Sequence, residues 1–206
     1  RLMLEADLYQ QINMIEVAID KLNQAIDLEP NDPIIHFALA ELLFYDGQYL
    51  RATSEYETVL ETGEYEVNHV NLFSRLAVCS LQSGNYTDAI ELFDEMSEEE
   101  MDSEDYFKKA IAYEKNDLIQ EATKLVRTLL SKDPDFMQGY LYLQHLYSEE
   151  KNYPDAIEIG NEGLRLSQFY KELMVSTGTL ELEHGDANDG VEHLVQALEV
   201  DPSYHE

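Results

Sequence analysis

A small residue recurs in one slot along the chain, one turn before a bulky apolar one: Ala18, Ala52, Ala89, Ala122, Ala156 and Gly190. The intervals are 34, 37, 33, 34 and 34 residues. A period near 34 describes one supersecondary unit copied along a line, each copy unable to bury its apolar face alone. The second copy shows the unit most clearly. Asn31-Asp32-Pro33 opens it, with Asp32 placed to cap a helix and Pro33 at its first position. Residues 34–45 (IIHFALAELLFY) carry apolar side chains at helical spacing, and Asp46-Gly47 ends that helix because glycine tolerates a left-handed backbone. A second helix begins at Tyr49, sets Ala52, Tyr56 and Val59 on one face, and stops at Gly63. The predicted element is helix, tight turn, helix. Pro30, Pro134 and Pro202 fall in one phase just past second helices, where proline blocks continuation.

These residues carry a resemblance. The second copy reads His36, Leu39, Ala40, Gly47, Tyr49, Ala52, Tyr56; the third reads Phe73, Leu76, Ala77, Gly84, Tyr86, Ala89, Phe93. Both follow the order of bulky, leucine, small, glycine, aromatic, alanine and aromatic that marks the tetratricopeptide repeat. The fourth, fifth, sixth and truncated first copies follow it more loosely, and the chain as a whole resembles that family. The resemblance implies an all-α fold, a right-handed superhelical solenoid of about six helix-turn-helix repeats. The repeats fall at approximately 1–32, 33–69, 70–102, 103–136, 137–170 and 171–206, all within a single domain. Without an initiator methionine at Arg1, the chain is expected to be a piece of a longer protein.

Some positions depart from the pattern. Glu5 and Lys109 stand in a leucine slot, Glu181 stands in an aromatic slot, and Gly160 replaces the large residue of a second helix. Each is expected to loosen its surroundings, so copies five and six, which hold Gly160, Gly163, Gly178 and Gly190, are expected to be the softest. At Ala40, Ala52, Ala77 and Ala89 the paired helices are expected to approach closely, with Tyr56 and Phe93 filling the space between neighbouring units.

Charge narrows the function. The chain has 13 Lys and Arg against 43 Asp and Glu, for a net charge of -30. Such a surface repels nucleic acid and anionic membranes and favours basic partners in a salt-dependent way, although acidity also simply keeps a repeat protein soluble. The segment 94–105 (DEMSEEEMDSED) is read as a loop whose Asp102 or Ser103 caps the next helix, or as an acidic docking strip. Copy four is nearly neutral, with six basic and seven acidic residues, and either marks a contact point or reflects chance.

Catalysis finds little footing. The single cysteine, Cys79, sits beside Ala77 and Val78 and is expected to be a buried, inert thiol, compatible with a reducing cytoplasm. His184 and His193 lie across a turn from each other without metal-ligand spacing. There is no GxxxxGK[ST] or GxGxxG motif and no apolar run long enough to cross a membrane. No enzyme activity, cofactor or metal is expected.

In the family resembled, fixed positions of each first helix face inward and form a groove. Carried across, the candidate groove residues are Ile34, Phe37, Glu41, Phe44, Tyr45, Arg75, Val78, Phe107, Ile111, Tyr142 and His145. One subset of the family clamps peptide C-termini with basic residues. Here the matching slots hold Met3 and Asp7, Phe37 and Glu41, Ser74 and Val78, a set that disfavours a carboxylate. The implied partner is a protein or peptide, apolar with basic character, bound by a non-catalytic scaffold. The alternative is a module that self-associates through uncapped ends or docks within a larger protein, since Val191, Leu194, Val195 and Leu198 lack a covering helix in the sequence.

Overall fold

A computed structural model describes residues 1–200, so the expectation placed on Pro202 lies outside the described residues. The chain divides into two compact units, the first ending at Lys108 and the second beginning at Lys109. The described residues form an all-α array of helix-turn-helix repeats. The paired helices are α1 (Leu2–Gln11) with α2 (Ile15–Leu28), α3 (Pro33–Tyr45) with α4 (Tyr49–Leu60), and α5 (Leu72–Gln82) with α6 (Tyr86–Asp94). They continue as α7 (Ser103–Lys115) with α8 (Ile119–Lys132), α9 (Met137–Glu149) with α10 (Tyr153–Leu166), and α11 (Lys171–His184) with α12 (Ala187–Val200). Pairing follows from amphipathicity: no helix of this length is stable alone in water, and each gains stability by burying its apolar stripe on its neighbours.

Local chemistry sets the boundaries. The Asp32 carboxylate accepts the Ile34 N–H at 2.9 Å, with Pro33 at the first helical position. Asn71 caps α5 by accepting the Phe73 N–H at 2.9 Å. Of the two residues proposed to cap α7, the structure uses Asp102, whose carboxylate accepts the Asp105 N–H at 2.9 Å while the Asp105 carboxylate accepts the Asp102 N–H at 3.3 Å. Between paired helices one residue takes a left-handed backbone. It is Asn13, Gly47, Gly84, Asp117 and Lys151 in copies one to five, with φ of 60°, 76°, 81°, 59° and 58°. The turn geometry therefore repeats even where glycine does not, and glycine only lowers its cost.

The longest interval, between Ala52 and Ala89, has a cause that the periodicity did not reveal. A two-residue hairpin, β1 (Glu66–Val67) and β2 (Val70–Asn71), sits between α4 and α5. Asn68 and His69 turn it with φ of 52° and 65°, the paired left-handed residues of a tight hairpin turn. Val67 and Val70 pack against the core of the first unit, which anchors the hairpin.

Each unit has its own core. In the first, Ala18, Ala40, Ala52, Ala77 and Ala89 are fully buried, and so are Tyr56 and Phe93, which fill the large slots. In the second, Ala110, Ala122 and Ala156 are fully buried with Leu143, Leu146 and Leu173. Small side chains let helix axes approach, and the bulky residue one turn on fills the space that remains.

The expectation that Gly160 loosens copy five is overturned. A Cβ built there would lie 2.2 Å from Gln144 Nε2 and 2.2 Å from Thr177 Oγ1, so the glycine fills a place with no room for a larger residue. Gln144, buried on α9, supplies the missing volume and donates to the Ala156 carbonyl at 3.1 Å and to Thr177 at 2.9 Å. Gly190 and Gly178 likewise mark a close approach of α11 and α12, where added Cβ atoms would meet each other's backbone carbonyls at 2.7 and 2.9 Å. Two of the other three departures, Glu5 and Glu181, have the partners that follow. Glu5 pairs with Lys21 and Arg1. Glu181, nearly fully buried, accepts from Asn161 at 2.9 Å and pairs with His193 Nδ1 at 2.7 Å.

His36 adds a pH-sensitive brace. Its Nδ1 lies 2.6 Å from the Glu55 carboxylate and its Nε2 lies 3.0 Å from the Pro30 carbonyl. Both neighbours accept, so only the doubly protonated ring satisfies them. Burial works against the charge, but the bonds from Glu55 and Pro30 outweigh it and hold the His36 pKa above its ordinary value.

Two outcomes are expected. Gly160→Ala should destabilise the fold by about 1–3 kcal/mol through overpacking, and Gln144→Ala in the same chain should recover part of the loss, a coupling that urea unfolding of the four species measures. His36 is favoured in its charged form when folded, so its contribution is complete below its unfolded pKa of about 6.5 and fades as pH rises through the higher folded value. The stability gap between wild type and His36→Gln should therefore narrow as pH rises from about 6 to about 8.

Candidate functional site

The eleven groove candidates divide sharply by exposure. On α3, Ile34 is 54% exposed and Tyr45 70% exposed, whereas Phe37 is only 6% exposed and packs against the Tyr56 ring at 6.4 Å between centroids. Val78 on α5 is buried with Ala77, Phe93 and Met96. Phe44 is half-buried within an aromatic cluster, its ring edge-on to Tyr45, Tyr49 and Tyr56 at 6.0, 5.7 and 6.4 Å. Phe107 and Ile111 on α7 are half-buried.

Glu41 and Arg75 are joined. The guanidinium donates from Nε at 2.8 Å and from Nη2 at 3.2 Å to the two Glu41 oxygens, and its carbon lies 4.8 Å from the centre of the Phe44 ring. The Tyr56 hydroxyl donates to the same carboxylate. Burial and this bond push the Tyr56 pKa far up, and Glu41 holds Arg75 above its ordinary value against the opposing effect of burial. A bidentate, partly desolvated pair of this kind is a strong positional lock. Glu41 is therefore committed within the protein rather than presented as a free acid.

The Ser74 hydroxyl, also on α5, donates to buried Asp105, whose pKa is raised by burial in spite of that bond. In the second unit the bridging acid is Glu114 on α7, which accepts the Tyr142 hydroxyl at 2.8 Å and lies 3.4 Å from His145 Nε2. Burial alone would raise Glu114. Tyr142, Lys115 and His145 reverse the effect and hold it below the usual carboxylate range. His145 is about half exposed.

A hollow of about 300 Å³ opens between α1, α2 and α3, lined by Met3, Leu4, Asp7, Gln10, Ala38 and Leu42 among others. Met3 and Asp7 occupy on α1 the slots that Phe37 and Glu41 occupy on α3. Asp7 is exposed where Glu41 is half-buried, Met3 is half-buried where Phe37 is buried, and Leu4 is 71% exposed. The groove list omitted these α1 residues although the matching slots were legible.

Cys79 is fully buried, and burial pushes its thiol up to about 11, which removes thiolate nucleophilicity at neutral pH. His184 stacks on the Tyr153 ring at 3.6 Å, while His193 is taken by Glu181. Among the described residues no helix is long and apolar enough to cross a membrane, and no group of three or more His, Cys, Asp or Glu could hold a metal ion.

Helix hairpins at this period, with alanines at the close approach and aromatics in the large slot, are tetratricopeptide repeats, and the comparisons with known proteins match them as such. Residues 10–64 match the family model described as YpiA-like, tetratricopeptide repeats. The chain is similar to the TPR repeat-containing protein YpiA of Bacillus subtilis (strain 168), with 33% identity over 205 residues. The match covers 100% of this chain and 48% of the relative, so the chain spans about half the length of the curated relative it matches. Among solved structures it is similar to YrrB, described as a TPR protein with an unusual peptide-binding site, with a TM-score of 0.64 and 13% identity over 89% of this chain and 93% of that one. It is also similar to pilF of Pseudomonas aeruginosa, with a TM-score of 0.68 and 15% identity over 98% of this chain and 91% of that one.

The division by exposure has a measurable consequence. Phe37→Ala should cost about 3–5 kcal/mol of stability, the price of a cavity in the core. Ile34→Ser and Tyr45→Ser should stay within about 0.5 kcal/mol of wild type, as chemical denaturation of the three variants would show.

Proposed function

We propose that the chain is a non-catalytic scaffold whose first-helix face, within residues 1–108, receives a peptide or protein segment of apolar and basic character. The observation that carries this reading is the hollow bounded by Met3, Leu4, Ala38 and Leu42 with Asp7 on its rim. A leucine-sized anchor fits about 300 Å³, and an exposed carboxylate beside it favours a neighbouring lysine or arginine. Ile34 and Tyr45 extend the accessible apolar surface along α3, and half-buried Phe44 lies behind Tyr45. Phe37, Glu41, Val78 and Arg75 then act as its backing. They hold α3 and α5 in register, and a rigid backing lowers the ordering cost of binding. Phe107, Ile111, Tyr142 and His145 remain candidates of the same kind on α7 and α9. The similarity to YrrB, whose description names a peptide-binding site, adds a precedent within the fold. The net charge of -30 supplies the long-range attraction for a basic ligand.

Selection from a displayed random-peptide library, followed by affinity measurement of the enriched peptides, tests the reading. The enriched peptides should combine leucine-like and basic residues. Leu4→Ser and Asp7→Asn should each weaken binding by about fivefold or more with unchanged melting, since a few anchor contacts dominate such interfaces. Equal affinity in both variants would remove the hollow from the function.

A further inference from the structure

The same hairpins present a second, separate groove. It lies between α4 and α6, with α5 as its floor, and encloses about 490 Å³. Leu50 and Thr53 of α4, Leu76 and Ser80 of α5, and Leu92 of α6 form its apolar and hydroxyl lining. Its position relative to the first-helix face follows from helix geometry. On α5, Leu76 and Ser80 line the groove with Ser83 at the helix's C-terminal cap, while Ser74 and Val78 stand two residues away from Leu76, some 200° around an α-helix. The two faces therefore lie on opposite sides of α5.

We infer that this groove is a docking surface for a basic segment of a partner protein carrying a leucine-type anchor. Two observations converge. Leu50, at the wall, is 72% exposed, a large apolar side chain left in water beside a concave surface. Around it stand Glu57, Asp88, Glu91 and Glu95, all exposed. Asp88 and Glu91 on α6 and Glu95 at its C-terminal cap recur at helical spacing, so their charges add along the groove. Among the described residues no lysine or arginine lines the cavity. The nearest cation in sequence to Leu50, Arg51, lies on the adjoining lip and donates to Gln48.

The corresponding groove of the second unit, between α10 and α12, differs in this respect. Its acids Glu181, Asp189 and Glu192 share the lining with Arg165 and His193, and Glu181 is already paired with that histidine. One groove carries basic side chains of its own. The other keeps its acidic rim open and its leucine exposed, and charge complementarity selects a lysine- or arginine-rich chain for it. The hydroxyls of Ser80 and Ser83 are placed to bond the backbone of such a segment.

The test uses the protein as it stands and two fluorescein-labelled decapeptides, one alternating Lys and Leu, the other alternating Lys and Ser. The Lys/Leu peptide should bind at least about fivefold more tightly than the Lys/Ser peptide, and the difference should persist when salt rises from about 50 to about 500 mM. Leu50→Ser should abolish that difference. Glu57→Gln/Glu91→Gln should weaken Lys/Leu binding about tenfold, while the same charge change at exposed Glu158 and Glu162 of α10 should leave it within about twofold. In a Leu4→Ser background, with the first-helix face weakened, the loss caused by Glu57→Gln/Glu91→Gln should persist undiminished, which separates this inference from the reading given for that face. Equal losses in the two double variants would reduce the effect to the general acidic field and overturn the inference. Loss in Leu4→Ser with none in Glu57→Gln/Glu91→Gln would place the probe on the first-helix face and overturn it as well.

Discussion

Everything in this molecule depends on how closely two helices can lie. Where a hairpin closes, the touching positions are Ala40 and Ala52, or Ala77 and Ala89, each fully buried, and in the last repeat Gly178 and Gly190. A larger side chain at any of them would push the axes apart and uncover the bulky residue one turn on. That constraint explains why the slot repeats so strictly, and why the paired slot, held by Tyr56 or Phe93, is filled to zero exposure.

Close packing fixes distance but leaves helices free to slide, and polar bonds between elements oppose that sliding. Arg75 reaches back to Glu41, Ser74 reaches forward to Asp105, Tyr142 reaches back to Glu114, and Gln144 reaches forward to Thr177. Each bond ties one first helix to the next and is at least partly shielded from water, which strengthens it and penalises its absence. The side chains spent on these ties cannot also read a partner. Left outside these ties, and proposed above for recognition, are Leu4, Asp7, Ile34 and Tyr45 on the first-helix face, and Leu50 with its acidic neighbours on the second-helix face. The proposed function rests on this division between holding and reading.

Much of the architecture was legible because period and chemistry agreed. Asp32-Pro33 and Gly47 announced a start and a stop, and Ala18 to Gly190 announced the copy number. The β-hairpin was not legible, because Asn68-His69 is a weak turn signal and the surplus spacing only says that something is inserted. Gly160 was misread as slack, because a pattern compares each slot with its consensus and cannot see that Gln144 has grown into the space. The site was harder still. Phe37 and Ile34 both occupy slots of α3 read as inward, but Phe37 packs on Tyr56 while Ile34 stays 54% exposed. Glu41 reads as a free acid until Arg75, 34 residues away, is seen beside it. The groove at Leu50 follows from no motif, because it is a gap between second helices.

The most direct measurement of this division is a methyl-labelled NMR titration with a peptide selected on the wild-type chain. The account predicts shifts concentrated at Met3, Leu4 and Ile34, with the methyls of Leu39, Val59 and Leu72, all fully or almost fully buried, unmoved. Shifts spread evenly through the buried methyls, or absent from Met3, Leu4 and Ile34, would contradict it.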